Sequence, residues 1–297
     1  MRILVTIPHF YNPDGDHQYG SVSPDPKPRI QALTNCISAL HHQFGKAQYF
    51  GHFAPFSLFY ANQCQDATLD LVICTTQGLH VLDKLPISAE SYQHHATNAE
   101  PMLLGFECQA FLAEHLGKYD YYCFLEDDLI VRDPWLFAKL DWFTALAGSE
   151  SLLQPNRYEL SLTIGDGIQK VYIDGDIDPD FVAQFHPQWE QPEITGEVMQ
   201  QSISFQKAGN PHAGCYFLNQ EQMAYWQQQP HFCDRDTSFV GPLESAATLG
   251  ILRAFKLYKP ARQNANFLEV QHFGNVMMQR LLRAVGMNKL VEEGNPN

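Results

Sequence analysis

Residues 118–134 read KYDYYCFLEDDLIVRDP, and the fold turns on how this stretch divides. Tyr121 to Leu125 is short, aromatic-rich and uncharged, which predicts a buried strand. Three carboxylates follow in a row, Glu126, Asp127 and Asp128, and hydrophobicity resumes directly with Leu129, Ile130 and Val131. Three adjacent anions at the end of a core strand repel one another, and a divalent cation removes that cost. Hard carboxylate oxygens suit magnesium or manganese, ions that keep open positions for the phosphates of a nucleotide. The plainer alternative is a solvated turn ahead of an acidic helix start, with Pro134 opening a helix from Trp135 to Phe143.

Working outward, the chain of 297 residues is long enough for one large domain or two small ones, and at 45% hydrophobic it is globular in composition. No run of about 18 apolar residues occurs, so no spanning helix is expected. Met1 to Pro8 is too short an apolar run for a signal peptide and reads as a first strand. A net charge of −14 argues against nucleic acid and against an anionic membrane surface as partners. The seven cysteines are scattered and several lie in apolar runs, so they read as reduced core thiols of a cytoplasmic protein. No CxxC pair points to structural zinc.

Taken in order, Arg2 to Ile7 predicts a strand and Arg29 to Phe44 a helix, with Ile30, Leu33, Ile37 and Leu40 at helical spacing and Gly45 as its stop. Between them, His9 to Pro28 is a long loop of the kind that is often functional. Strand, loop and helix suit a nucleotide-binding α/β unit, although no GxGxxG or P-loop is present. Asp70 to Thr76 is a second strand. The polar segment from Ser91 to Asn98, with His94 and His95, reads as a solvated loop, and Met102 to Leu116 as an amphipathic helix. This alternation implies a mostly parallel sheet with helices on its faces.

From Gly148 the character changes to short apolar stretches and turns. Asp174, Asp176, Asp178 and Asp180 superficially match a calcium loop, but Pro179 and Phe185 stand where glycine and glutamate are required, so a turn is expected. Tyr172, Phe185 and Trp189 are candidates for a sugar-facing surface or for core. His212-Ala-Gly214 forms a small-residue loop before an apolar strand, and glycine there lets backbone approach a ligand. Pro242 and Glu244 mark a helix start. Phe255 to Tyr258 is a strand, Asn275 to Val285 a closing helix, and 291–297 a disordered tail.

In this order the elements resemble the nucleotide-sugar-dependent glycosyltransferases of the GT-A fold. VTIPHFYN with PRIQALTNCISALHHQ is similar to their first strand and helix. YYCFLEDDLIV is similar to their DXD-type strand, here written Glu126-Asp127-Asp128. HAGCYFLN, GPLESAATLG and LEVQHF match their acceptor-side loop, their catalytic acidic helix start and their C-terminal histidine. The resemblance implies an α/β fold: an open, mainly parallel mixed sheet flanked by helices, in one catalytic domain over 1–290. Residues 1–145 would bind the nucleotide sugar and 146–290 the acceptor. It implies a metal-dependent hexosyltransferase using a UDP- or GDP-sugar and a carbohydrate or other hydroxyl acceptor, cytoplasmic or peripheral to the membrane. Asp128 would be the direct ligand of manganese or magnesium, joined by His272, with Glu126 and Asp127 reaching ribose or metal-bound water. Pro8, Tyr11 and Arg29 would contact base and phosphate. His212 and Gly214 would lie on the acceptor side, and Glu244 is the candidate general base. The family pattern has an acid pair there, whereas Ser245 follows Glu244 here. Asp234, Asp236 or a retaining mechanism therefore stay open.

Three other readings compete. A sugar nucleotidyltransferase wants a glycine-rich, basic loop after the first strand, and here Lys27 and Arg29 are its only cations. A non-catalytic metal- or carbohydrate-binding protein is separated from an enzyme by turnover. A metal-dependent hydrolase finds no HExxH cluster among the 13 histidines.

Overall fold

The first strand, β1 (Arg2–Pro8), is buried from Ile3 onward, as expected of a strand covered on both faces. The computed structural model in which it lies describes residues 1–14, 20–63, 67–161, 168–185 and 192–286. Trp189 and the tail 291–297, both singled out above, lie outside these. Helix α1 (Lys27–Phe44) follows, with proline in its first turn. It stops at Gly45, where a Cβ would stand 2.5 Å from the His41 carbonyl oxygen. The strands β2 (Tyr49–Phe53) and β3 (Phe56–Tyr60) form an antiparallel hairpin that the sequence reading passed over. Then come β4 (Thr68–Thr76), β5 (Gln93–Thr97), α2 (Leu104–Glu114) and β6 (Tyr121–Leu125). The quoted stretch divides where its chemistry predicted, with β6 wholly buried up to the carboxylates.

The segment holding His94 and His95 is a strand rather than a solvated loop. It lies at the sheet edge, where β5 runs parallel to β4 and His94 Nε2 sits 2.7 Å from Thr75 Oγ1. An edge strand with half-solvated side chains needs no apolar periodicity, so its sequence hid it.

After Asp128 the chain forms β7 (Leu129–Ile130), α3 (Leu136–Ala147), β8 (Ser151–Leu153), β9 (Asn156–Leu160), β10 (Lys170–Tyr172), α4 (Pro179–Ala183), β11 (Ile194–Val198) and β12 (Gln201–Lys207). It continues through β13 (Cys215–Asn219), α5 (Gln220–Gln227), α6 (Pro242–Ala254), β14 (Lys256–Pro260), β15 (Glu269–His272) and α7 (Val276–Ala284). Two compact units result: Met1–Asp128 with Gly214–Phe255, and Leu129–Ala213 with Lys256–Asn297. The segment from Gly214 joins the first unit because β13 returns to pair antiparallel with β6, Phe217 opposite Cys123.

The first unit is built on a mainly parallel sheet in the order β13-β6-β1-β4-β5. Val5 faces Leu71 on one side and Cys123 on the other. Helices cover it, and α2 meets α6 closely: a Cβ on Gly105 would stand 2.4 Å from Ala246 Cβ. Gln109 Nε2 donates to the Ala246 carbonyl at 2.8 Å beside this contact. Cys36, Cys74, Cys108, Cys123 and Cys215 are buried free thiols. The second unit holds two four-stranded sheets, β10-β9-β15-β7 and β11-β12-β14-β8. Its core includes an aromatic cluster in which Phe205 lies 4.9 Å from Phe143 and 5.4 Å from Phe267 between ring centroids.

Candidate functional site

In the first unit β1 has β4 on one side and β6 on the other, both parallel to it. Loops leaving the carboxyl ends of two such neighbours diverge, and open α/β sheets bind ligands at these points. Here the two ends carry His9 and the triplet Glu126-Asp127-Asp128. The His9 ring is fully buried, with Nδ1 2.6 Å from Asp127 Oδ2. The Val81 N–H donates to His9 Nε2 at 3.2 Å, so the proton resides on Nδ1 and is donated to Asp127. Burial draws His9 below its ordinary value and outweighs the pull of Asp127, which keeps the ring neutral.

Arg29 reaches the same carboxylates from the first turn of α1. Its Nη2 lies 2.5 Å from Asp127 Oδ1 and its Nη1 3.4 Å from Asp128 Oδ2. Exposure separates the two acids: the Asp127 side chain is 2% exposed and that of Asp128 24%. Glu126 is buried, and its N–H donates to the Gly214 carbonyl at 2.9 Å. Gly214 has φ +63°, a left-handed conformation that favours glycine. Arg29 Nε is buried and makes no hydrogen bond among the described residues.

The other expected residues fall as follows. Pro8 ends β1 opposite Cys74 and is buried. Tyr11 is buried and fixes its loop, donating its N–H to the Leu79 carbonyl at 3.0 Å and its hydroxyl to Ser23 O at 2.7 Å. Glu244 sits in the first turn of α6 with its carboxylate folded over Gly241, where a Cβ would meet Oε2 at 2.6 Å. Asp234 and Asp236 both pair with Arg253, at 3.0 and 2.6 Å. A hydrogen bond from Ser238, with that guanidinium, holds Asp236 below the usual carboxylate range and makes it a weak base.

His212 and His272 belong to the second unit. His212 Nε2 accepts from Arg157 Nη1 at 3.2 Å in a buried knot with Asp174, whose carboxylate also takes Arg157 Nε and Lys259 Nζ, each at 2.8 Å. Burial and the neighbouring Arg157 push His212 well below its ordinary value. Burial raises Asp174, but the Lys259 and Arg157 cations prevail and hold it low. Asp174, read from sequence as part of a turn, is the centre of this knot. His272 Nδ1 lies 2.8 Å from Oε1 of the buried Glu159, which also accepts the Met278 N–H at 2.6 Å. Backbone donation to Glu159 makes it an acceptor, so His272 Nδ1 carries a ring proton.

Among the described residues no group of three His, Cys, Asp or Glu side chains is arranged to hold a metal ion. A hard cation bound with a nucleotide needs only one or two carboxylates, the phosphates supplying other ligands. Asp128, the least buried member of the triplet, fits that role. The His272–Glu159 pair has the carboxylate-backed form typical of ligating histidines.

His9 is a residue of the β1–β6 site that sequence reasoning missed, and Arg157, Lys259 and Glu159 are partners of Asp174, His212 and His272 in the second unit that it also missed. For His9 a signal existed. A histidine directly after the first strand of a parallel sheet lies beside whatever ends the neighbouring strand, here an acidic triplet in want of donors.

No protein-family model and no curated protein matches the sequence. Among solved structures, 97% of the chain aligns with 39% of TarS from S. aureus at 10% identity and a TM-score of 0.44. All of it aligns with 67% of TarS 1-349 in complex with UDP, at 8% identity and TM-score 0.45. Mouse xyloside xylosyltransferase 1, in its apo form, aligns with 85% of the chain over 82% of its own length, at 11% identity and TM-score 0.37. The chain thus spans about two fifths of the first of these. Likenesses this distant carry no argument about what the chain does.

Proposed function

We propose that the chain is a glycosyltransferase that takes a nucleoside-diphosphate sugar at the carboxyl ends of β1 and β6. One observation carries the reading: an acidic triplet stands at the point where the loops of two parallel neighbouring strands diverge, the place where such sheets bind nucleotides. Arg29 supports it. Its buried Nε–H lacks an acceptor among the described residues, and a phosphate oxygen is a group that would satisfy it. Asp128 would hold a manganese or magnesium ion. When bound, the ion would stabilise charge on the departing diphosphate. Around it the chain's own residues would act as binding and orienting groups. Arg29 would fix a phosphate while paired with Asp127, and neutral His9 would hold Asp127 in one rotamer. Glu244 is the proposed base for the acceptor hydroxyl.

The test is thermal unfolding with uridine and guanosine diphosphates, each with and without manganese. A ligand of the native state raises the midpoint by mass action. One nucleotide should give a manganese-dependent rise, and Asp128→Asn should lose the manganese-dependent part. No shift with any nucleotide would overturn the reading.

A second reading, a non-catalytic carbohydrate-binding protein, is favoured by the pairing of Arg29 with Asp127, which gives that carboxylate a cation without a metal ion. It predicts stabilisation by a carbohydrate without added manganese and no hydrolysis of any nucleotide sugar.

A further inference from the structure

The hairpin β2–β3 exposes apolar side chains on both faces. Tyr49 and Tyr60 stack at its base with ring centroids 5.0 Å apart. Phe53 and Phe56 flank the Ala54–Pro55 turn at its tip and are 81% and 85% exposed. Leu58 lies on the face of these four, while Phe50 and Phe59 occupy the opposite face. All are exposed. Neither strand pairs with any other strand among the described residues. Residues 49–60 contain no Asp, Glu, Lys or Arg, in a chain of net charge −14. An apolar patch of this kind on a protein surface marks an interaction site.

We propose that this hairpin is a wedge that inserts its tip into the interface of a zwitterionic phospholipid bilayer. Two observations choose this occupant over a second copy of the chain. Lipid surrounds an inserted tip, whereas a protein surface laid on one face leaves the other in water. Finally, the face that carries the tyrosines is graded along its length: Phe53 and Phe56 occupy the tip, and Tyr49 and Tyr60, which favour the polar–apolar boundary, occupy the base. At the root a cleft of about 450 Å³ is lined by Lys46, Gln48, Asn62 and Gln63, polar groups suited to the headgroup layer.

The depth is limited. The outer edges of β2 and β3 carry unpaired backbone groups that cannot enter hydrocarbon, so insertion stops within about 5–10 Å. Among the described residues no helix is long and apolar enough to cross a membrane, so attachment through the hairpin would be interfacial. The inference is independent of the proposed enzymatic activity.

Flotation of the full chain with phosphatidylcholine vesicles tests it. The wild type should float, and Phe53→Ser/Phe56→Ser should reduce the bound fraction at least tenfold with an unchanged melting temperature, both side chains being exposed. Phe53→Trp should add an emission component that shifts to the blue with vesicles. Failure of the wild type to float would overturn the proposal. So would flotation unaffected by the double substitution, or flotation that needs anionic lipid and disappears in salt. A hairpin-dependent dimer in sedimentation, without flotation, would assign the surface to a second copy instead.

Discussion

A carboxylate buried as deeply as Asp127 carries a desolvation cost of several kcal/mol that some positive charge or set of donors must offset. From sequence, the repulsion within Glu126-Asp127-Asp128 called for a divalent cation. The structure supplies the Arg29 guanidinium and the His9 N–H to Asp127, and Arg29 also reaches Asp128. Arg29→Ala should therefore cost about 3–5 kcal/mol of stability, since it leaves a buried anion unpaired. Arg29→Lys keeps the charge but loses the fork that serves two carboxylates, and should fall between the two. Denaturant unfolding of the three proteins checks the order, and a loss below 1 kcal/mol in Arg29→Ala would show that the pair does not hold Asp127. A strained backbone position lies just before α6. Val240 has φ +56°, a conformation that costs a β-branched residue about 1–2 kcal/mol, and its side chain is 70% exposed. Val240→Gly should therefore gain stability, by about 0.5–1 kcal/mol after the entropy cost of glycine. An unchanged or lower midpoint in urea would remove the strain argument.

At the scale of elements, the contact between α2 and α6 depends on the missing side chain of Gly105. A methyl group there would lie 2.4 Å from Ala246 Cβ, so the helices must separate or tilt. Gly105→Ala should destabilise by about 1–3 kcal/mol, the usual cost of overpacking, despite the better helix propensity of alanine. Gly105→Ala/Ala246→Gly should recover part of that loss, and a double-mutant cycle with no coupling would refute the contact. This contact illustrates what was legible in the sequence and what was not. Strand β6 could be read residue for residue, because a strand buried on both faces is an uninterrupted apolar run ending sharply at charge. Strand β1 and helix α1 were legible through the same run and through helical spacing. Strand β5 was not, since its polar side chains sit at an edge. The β2–β3 hairpin was not, because its aromatic residues serve no core. The candidate site divides in the same way. The triplet stands out in the sequence alone. Its partners His9 and Arg29 lie 118 and 98 residues before Asp127, and only the parallel register of β1 beside β6 brings the loop and helix that carry them to it. The Asp174 knot gathers Arg157, His212 and Lys259 from three further segments, and no local pattern announces it.

For the whole molecule, these buried groups set how stability depends on pH. His9 and His212 are held below the ordinary value of 6.5, chiefly by burial. The unfolded chain takes up their protons near pH 6.5 while the native state does not, so stability is full above that pH and falls as pH drops below it. Asp174 and Asp236 are also held low, below 3.8. Their contribution persists above that value and is lost only as pH falls below it. On the alkaline side, burial pushes the Cys36 and Cys123 thiols well above 9.0. There the unfolded chain gives up protons that the native state keeps, so stability falls again as pH rises past 9. A plateau between about pH 6.5 and 9 is expected, with a first acid decline due to histidine and a second, below pH 4, due to carboxylates. Each histidine contributes a slope of up to about 1.4 kcal/mol per pH unit. Urea titrations from pH 7.5 to 5 should therefore show a steep dependence in the wild type. His212→Gln should lower stability at pH 7.5, since Arg157 loses the ring that accepts its N–H, and should flatten the acid slope by up to one proton. An equal slope in wild type and His212→Gln would mean that His212 charges freely in the native state, and the buried knot around Asp174 would have to be redrawn with solvent inside it.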